Sequence, residues 1–293
     1  MACFATPYGL RYAAHCFNRA YAQQRGQTLI PAGGKLGVTS RPLENSRIHQ
    51  KRVSPAAVGY EPHLYSYTGG QSDLERTRLE HSYFQQIDDR AAKALVKLEN
   101  MERGSAIDHM GLVQFVISLL HRSPRRMQYL RDELIKRMLD VPQFDPSRPR
   151  DQDMIRDGVN DLLADLISSD TVIPEIVGMK VFRVPVDAKR RFLTSDTPIM
   201  LSQGTRNPRS FLIMPYAPDR LTIFARDENV ALAFSIQEGD VLVNAINDAI
   251  VRQARHVVIA SDDTERMFID ERFKPFSPPD GAGDDGFIRW IAP

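Results

Sequence analysis

The spacing of apolar residues changes character once along this chain, near Ile173, and that change limits the folds open to it. Before it, apolar residues recur at helical intervals. Ser72-Asp73-Leu74-Glu75 has the form of a capping box, in which Ser72 caps a helix and Glu75 reaches back to it. Leu79, Tyr83, Ile87, Ala91, Ala94, Leu95 and Leu98 continue that helix, which is expected to end near Arg103-Gly104 with Gly104 as the left-handed residue. A second helix, over about 105–122, is apolar nearly all round and should be central. Ser123-Pro124 opens a third, to about residue 139; residues 140–150 read as a linker, and a fourth helix covers about 152–168. After residue 173 the pattern becomes short strands at 179–186, 192–194, 211–214, 221–225 and 256–260, with one helix at 240–254. Pro215-Tyr216-Ala217-Pro218 is expected to leave the sheet. The expected fold is α+β: an N-terminal helical part, then a small, mostly antiparallel sheet with one covering helix.

Four segments follow from this reading: an irregular basic segment at 1–70, a helical region at 71–169, a strand-rich region with one helix at 170–273, and a mobile tail at 274–293, where Phe287, Ile288 and Trp290 could dock back. The first segment carries Arg11, Arg19, Arg25, Lys35, Arg41, Arg47, Lys51 and Arg52, with Glu44 as the only acid up to Arg52. That surplus, and the basic residues Arg125, Arg126, Arg131, Lys136 and Arg137 of the third helix, could meet the phosphates of a nucleic acid. Neither has the dense clustering of a committed nucleic-acid arm, and the net charge of +1 suggests no polyanion partner on average. Cys3 and Cys16 lack the spacing of a disulfide framework, so a reducing, cytoplasmic location is expected. No apolar run approaches the roughly 18 residues that span a bilayer, and no basic start precedes an apolar run as in a signal peptide.

The stretch that concentrates chemistry is Phe192-Leu193-Thr194-Ser195-Asp196-Thr197-Pro198-Ile199. Thr194, Ser195 and Asp196 have short polar side chains that bond readily to backbone N–H groups. Pro198 disfavours the α region for Thr197 and so keeps the chain extended or turning. A carboxylate at a strand end can be aimed at a ligand, a metal or a scissile group. The same residues would also serve as a simple turn in which Asp196 satisfies only its own loop. Glu80 and Asp88 lie two turns apart on the first helix, where a solvated acidic face is the plain expectation.

These motifs resemble those of the bacterial family catalogued as domain of unknown function 4238. The resemblance rests on Leu74-Glu75 and Leu79-Glu80 opening a helix, and on His121-Arg122-Ser123-Pro124, where the family shows Arg-Thr-Pro. It rests further on Phe192–Ile199, similar to Phe-x-Thr-Ser-Asp-Asn-Pro-Val, and on Met214-Pro215-Tyr216-Ala217-Pro218, similar to Pro-Leu-Ser-Pro. Asn244 or Asn247, then Arg255-His256 and a strand ending in Ser261, resembles its closing segment. The likeness covers about residues 53–261. The family opens with His-x-Val-Pro, for which this chain offers only Ala14-His15-Cys16-Phe17. The resemblance implies no particular activity.

Two functions compete. One is a metal-assisted hydrolase acting on phosphodiesters, with Asp196 as metal ligand or base, Glu75, Glu80 or His15 supplying further donors, and Arg122 or Arg255 holding an anion. A divalent metal is then the expected cofactor. The other is a non-catalytic ligand-binding or protein-interaction module, with Thr194, Ser195, Arg122, Asn244 and Arg255 as contacts. No spacing such as H-E-x-x-H or a P-loop fixes the first reading, and Ser195 has no Gly-x-Ser-x-Gly setting.

Overall fold

The structure is a computed structural model, and the residues it describes are 36–40, 49–53, 64–70, 72–202, 204–205, 207–254 and 257–273. His15, Arg255 and the segment 274–293 lie outside the described residues. The fold is α+β. The chain divides into two compact units: Met1–Gly9 with Gly59–Pro174, and Leu10–Val58 with Glu175–Pro293. Among the described residues no helix is long and apolar enough to cross a membrane.

The first unit is helical. Its helices are α1 (Asp73–Arg76), α2 (Gln85–Glu99), α3 (Ala106–His121), α4 (Pro124–Met138) and α5 (Pro149–Ile167), and a π-helical turn at Leu79–Phe84 leads into α2. The capping box forms as read: the Ser72 side chain accepts from Glu75 N–H and the Glu75 side chain accepts from Ser72 N–H. A second box, Ser105 with Asp108, opens α3, and Ser123 caps α4 with Pro124 in the first turn. Helix α3 is central as its composition predicts, with Val113, Phe115, Val116 and Ile117 fully buried. Helix α2 ends earlier than Gly104. It closes in a Schellman motif, with Glu102 N–H donating to Lys97 O and Met101 N–H to Leu98 O. Met101, at φ 56°, takes the left-handed position that Gly104 was expected to fill.

Among its described residues the second unit holds two four-stranded antiparallel sheets. One has the order β2 (His49–Val53), β1 (Leu36–Ser40), β8 (Val257–Ala260), β4 (Thr194–Ser195); the other has β3 (Lys180–Pro185), β7 (Arg220–Ala225), β6 (Phe211–Ala217), β5 (Met200–Leu201). Thus two strands of the basic first segment enter a sheet with β8, near the other end of the chain. The expectation that Pro215 ends its strand is corrected: β6 runs on to Ala217. The missing N–H of proline is absorbed by a register irregularity between Pro215 and Ala217. Besides the expected helix, here α8 (Gly239–Gln253), the unit has α7 (Glu228–Ser235) and α9 (Arg266–Arg272), and the short α6 (Ile173–Val177) falls at the division between units. Both sheets, α8 and α9 share one apolar core that includes Val184, Leu193, Ile223, Ile246, Val258 and Phe268.

Candidate functional site

The loop from residue 186 to residue 199 runs along α8 and is held by it step by step. Asp240 Oδ1 accepts from Lys189 N–H at 2.9 Å and Arg190 N–H at 3.2 Å. Asn244 Oδ1 accepts from the Arg190 guanidinium at 2.6 Å. Asn247 makes a two-sided clamp: its Nδ2 donates to Arg191 O at 2.8 Å and its Oδ1 accepts from Leu193 N–H at 2.8 Å. Gln253 Nε2 donates to Thr197 O and, at 3.4 Å, to Ile199 O. The order of these contacts along α8 matches their order along the loop, so the helix acts as a rail. Close approach is required at its start, where a Cβ on Gly239 would lie 1.9 Å from Asp187 O.

The other side of the loop is held by backbone. Phe192 N–H donates to Pro218 O and Val186 N–H to Asp219 O, both in the β6–β7 turn. Asp196 N–H donates to Val257 O of β8. Apolar anchors flank the turn: Phe192 and Leu193 before it, Ile199 and Met200 after it, all 5% exposed or less. Each such side chain contributes roughly 1.5–3 kcal/mol by leaving water. Between the anchors, Thr194 and Ser195 are fully buried and Asp196 is 9% exposed. Ser195 has a local task, its Oγ accepting from Thr197 N–H at 3.1 Å. The Thr194 hydroxyl is buried with no hydrogen-bond partner among the described residues.

The remaining candidates belong to the first unit. Glu75 serves the capping box and is exposed. Glu80 sits in the π-helical turn and is 5% exposed, and Asp88 is 1% exposed, so the expected solvated acidic face is corrected to a buried one. For Asp88 the reason is Arg122, itself fully buried, whose Nη2 lies 2.9 Å from Asp88 Oδ1 and whose guanidinium stands 4.6 Å over the Phe84 ring. A charge can be buried in this way only with a partner. The Tyr65 hydroxyl donates to the carbonyl of Arg122 at 2.5 Å. Next to it, burial and then the Arg126 charge press the His121 imidazole down to about 4.

The structure therefore joins Thr194, Ser195 and Asp196 in one turn, with Asn244 on the helix that holds the approach to it, and gives Arg122 a partner in Asp88. Glu75, Glu80 and Arg122 lie in one unit, and Thr194, Ser195, Asp196 and Asn244 in the other. Among the described residues no group of three or more His, Cys, Asp or Glu side chains could hold a metal ion. Asn247, Gln253 and Asp240 carry more of the site than the sequence reading assigned them. The signal for Asn247 is an amide inside the apolar face of α8, between Val243, Ile246 and Ile250.

The motifs of the second unit thus meet at one loop: the Thr194–Pro198 turn, the end of β6 and Asn247. No curated protein and no solved structure matches the chain. Residues 15–264, a span that contains every one of these motifs, match the family described as protein of unknown function (DUF4238), and the chain belongs to that family.

Proposed function

We propose that this protein is a binding module in which the Thr194–Pro198 turn presents Asp196 as the charged contact for an ammonium- or guanidinium-bearing ligand or partner. The observation that carries this reading is the rail: Asp240, Asn244, Asn247 and Gln253 of one helix fix the loop that carries Asp196. A site ordered before its ligand arrives avoids the cost of ordering on binding.

A second reading is a metal-assisted hydrolase of phosphodiesters, with Asp196 as metal ligand or base. What favours it is that Mg²⁺ commonly uses only one or two protein carboxylates and completes its shell with water and substrate phosphate. A carboxylate fixed in a turn, as Asp196 is, suits that use.

Thermal unfolding of the wild type and Asp196→Asn separates the two. Each is scanned alone and with arginine amide, spermidine, Mg²⁺, Mn²⁺ or EDTA. A ligand present at a hundred times its dissociation constant adds about 2.7 kcal/mol to the native state. The binding reading predicts a rise in Tm with a cationic probe that Asp196→Asn abolishes. A rise with Mg²⁺ or Mn²⁺ that the variant loses supports the hydrolase reading and leads to phosphodiester substrates. No shift with any probe, together with a strongly destabilised variant, contradicts both.

A further inference from the structure

One stretch of chain, residues 257–272, touches the candidate loop at both ends. Strand β8 holds the exit: Thr194 and Ser195 pair with Ile259 and Val258, and Asp196 N–H donates to Val257 O. Helix α9 holds the entry through Arg190. Arg190 Nε donates to Glu265 Oε1 at 3.0 Å and its Nη2 lies 2.9 Å from Glu265 Oε2, so both carboxylate oxygens face the guanidinium. The same guanidinium stands 4.7 Å over the Phe268 ring.

The Arg190–Glu265 pair is not a surface contact. Glu265 is 3% exposed. It stands at the N-cap of α9 and makes no side-chain cap bond there, its carboxylate being turned to the loop instead. Burial pushes the Glu265 carboxyl up and the Arg190 charge opposes it, so the pair stands without a large surplus of stability. Helix α9 in turn depends on its contacts, since seven residues are too few to hold a helix in water. Phe268 and Ile269 are its buried residues, with Phe273 buried just beyond. To α8 it is tied by Arg272, whose Nε lies 2.9 Å from Asp248 Oδ1 and whose guanidinium stands 3.9 Å over Phe268. Asn244 and Asp248, one turn apart on α8, thus receive Arg190 and Arg272. Glu265, Phe268 and Arg272, at i, i+3 and i+7, form the face of α9 that meets them. A short element with few buried residues belongs to the part of a fold that opens first.

We propose that α9 is a strap that sets the order of the Asp196 loop, with Arg190 as the positioning residue through which it acts: docking of α9 fixes the loop entry and undocking releases it. The consequence for binding rests on the function proposed for Asp196; the coupling of helix to loop does not. Hydrogen exchange by mass spectrometry on the full chain, without ligand, compares the wild type with Glu265→Gln and Arg272→Met. Among the described residues Arg272 bonds to Asp248, Glu271 and the Phe268 carbonyl, none of them in the loop, so its effect on the loop has to pass through the helices. The expected result is exchange of the amides at 187–193 faster by about tenfold in both variants, as for the loss of one charge-assisted hydrogen bond, with α8 at wild-type rates. Loop amides at wild-type rates in both variants, whether or not 262–273 opens, overturn the inference. A loop that responds to Glu265→Gln alone makes Arg190 a local contact and overturns the strap. Faster exchange spread evenly through the second unit does so as well, because the two pairs are then general stabilisers. With no ligand present, this result and the probe scans on Asp196→Asn stand or fall separately.

Discussion

At the scale of single residues, two buried polar groups anchor the account, and they differ in kind. Asn247 is an uncharged clamp whose two hydrogen bonds hold the backbone at Arg191 and Leu193. Arg122 is a charge whose burial depends on Asp88. Removing one member of such a pair strands the other in a dry interior, so Arg122→Met should cost about 3–5 kcal/mol. The double variant Asp88→Leu/Arg122→Met should recover most of that loss, which a double-mutant cycle in urea measures. Little of this pair was legible beforehand. The sequence offers Arg122 through its motif and as a residue to hold an anion, with nothing to pair it with Asp88. Asp88 was placed on an acidic stripe whose burial depends on where the helices pack, which spacing along one helix does not reveal. Asp196 was legible because its neighbours are turn-formers between two apolar runs. What holds it was half legible, since an asparagine on an apolar helix face shows that a polar contact exists and not where it points.

At the scale of elements, end signals were read well and short elements poorly. Ser72, Ser105 and Ser123 cap their helices because a short hydroxyl meets N–H groups that the first turn leaves open. Helix α7 has only Ala231 buried, and α9 is seven residues long, so neither carries a repeating apolar pattern. Strands β1 and β2 find their partner in β8, far along the chain, and a long-range pairing leaves no local period. Strand β4, two residues long, is defined by its pairing with β8 alone. The end of α2 was misplaced because a glycine is the usual left-handed residue, whereas Met101 holds that position here while 82% exposed. A side chain in that conformation costs roughly 1 kcal/mol against glycine. Met101→Gly should therefore raise the stability of the helical unit by about 0.5–1 kcal/mol in a denaturant titration. A loss of stability would show that the Met101 side chain makes a contact outweighing the strain.

At the scale of the whole molecule, the α+β division was legible because the period of the apolar residues changes once. The split into two sheets was not, because strand order is set by pairings distant in sequence. The pH dependence of stability also belongs to this scale. His121 is held to about 4 in the fold, chiefly by burial, and an unfolded histidine titrates near 6.5. Between those values the unfolded chain binds a proton that the native chain refuses, so stability falls as pH drops from 6.5 towards 4, by up to roughly 2 kcal/mol at pH 5. Thermal unfolding at pH 7 and pH 5 should show that loss in the wild type and a smaller one in His121→Gln. Asp108 acts in a lower window: its hydrogen bond from Lys97 holds it to about 2, so the stability it lends is present above 3.8 and lost as pH falls towards 2. The central claim is a division of labour, in which α8 supplies the structure and Asp196 the contact. Its most direct test is the unfolding free energy of Asn247→Ala and Asp196→Asn, measured side by side in urea without ligand. Asn247→Ala should cost about 2–4 kcal/mol, since the buried Leu193 N–H and the part-buried Arg191 carbonyl both lose their partner. Asp196→Asn should stay within about 1 kcal/mol of the wild type, as expected of a residue kept for contact more than for folding. A loss for Asp196→Asn as large as that for Asn247→Ala would contradict the account and make Asp196 a turn residue.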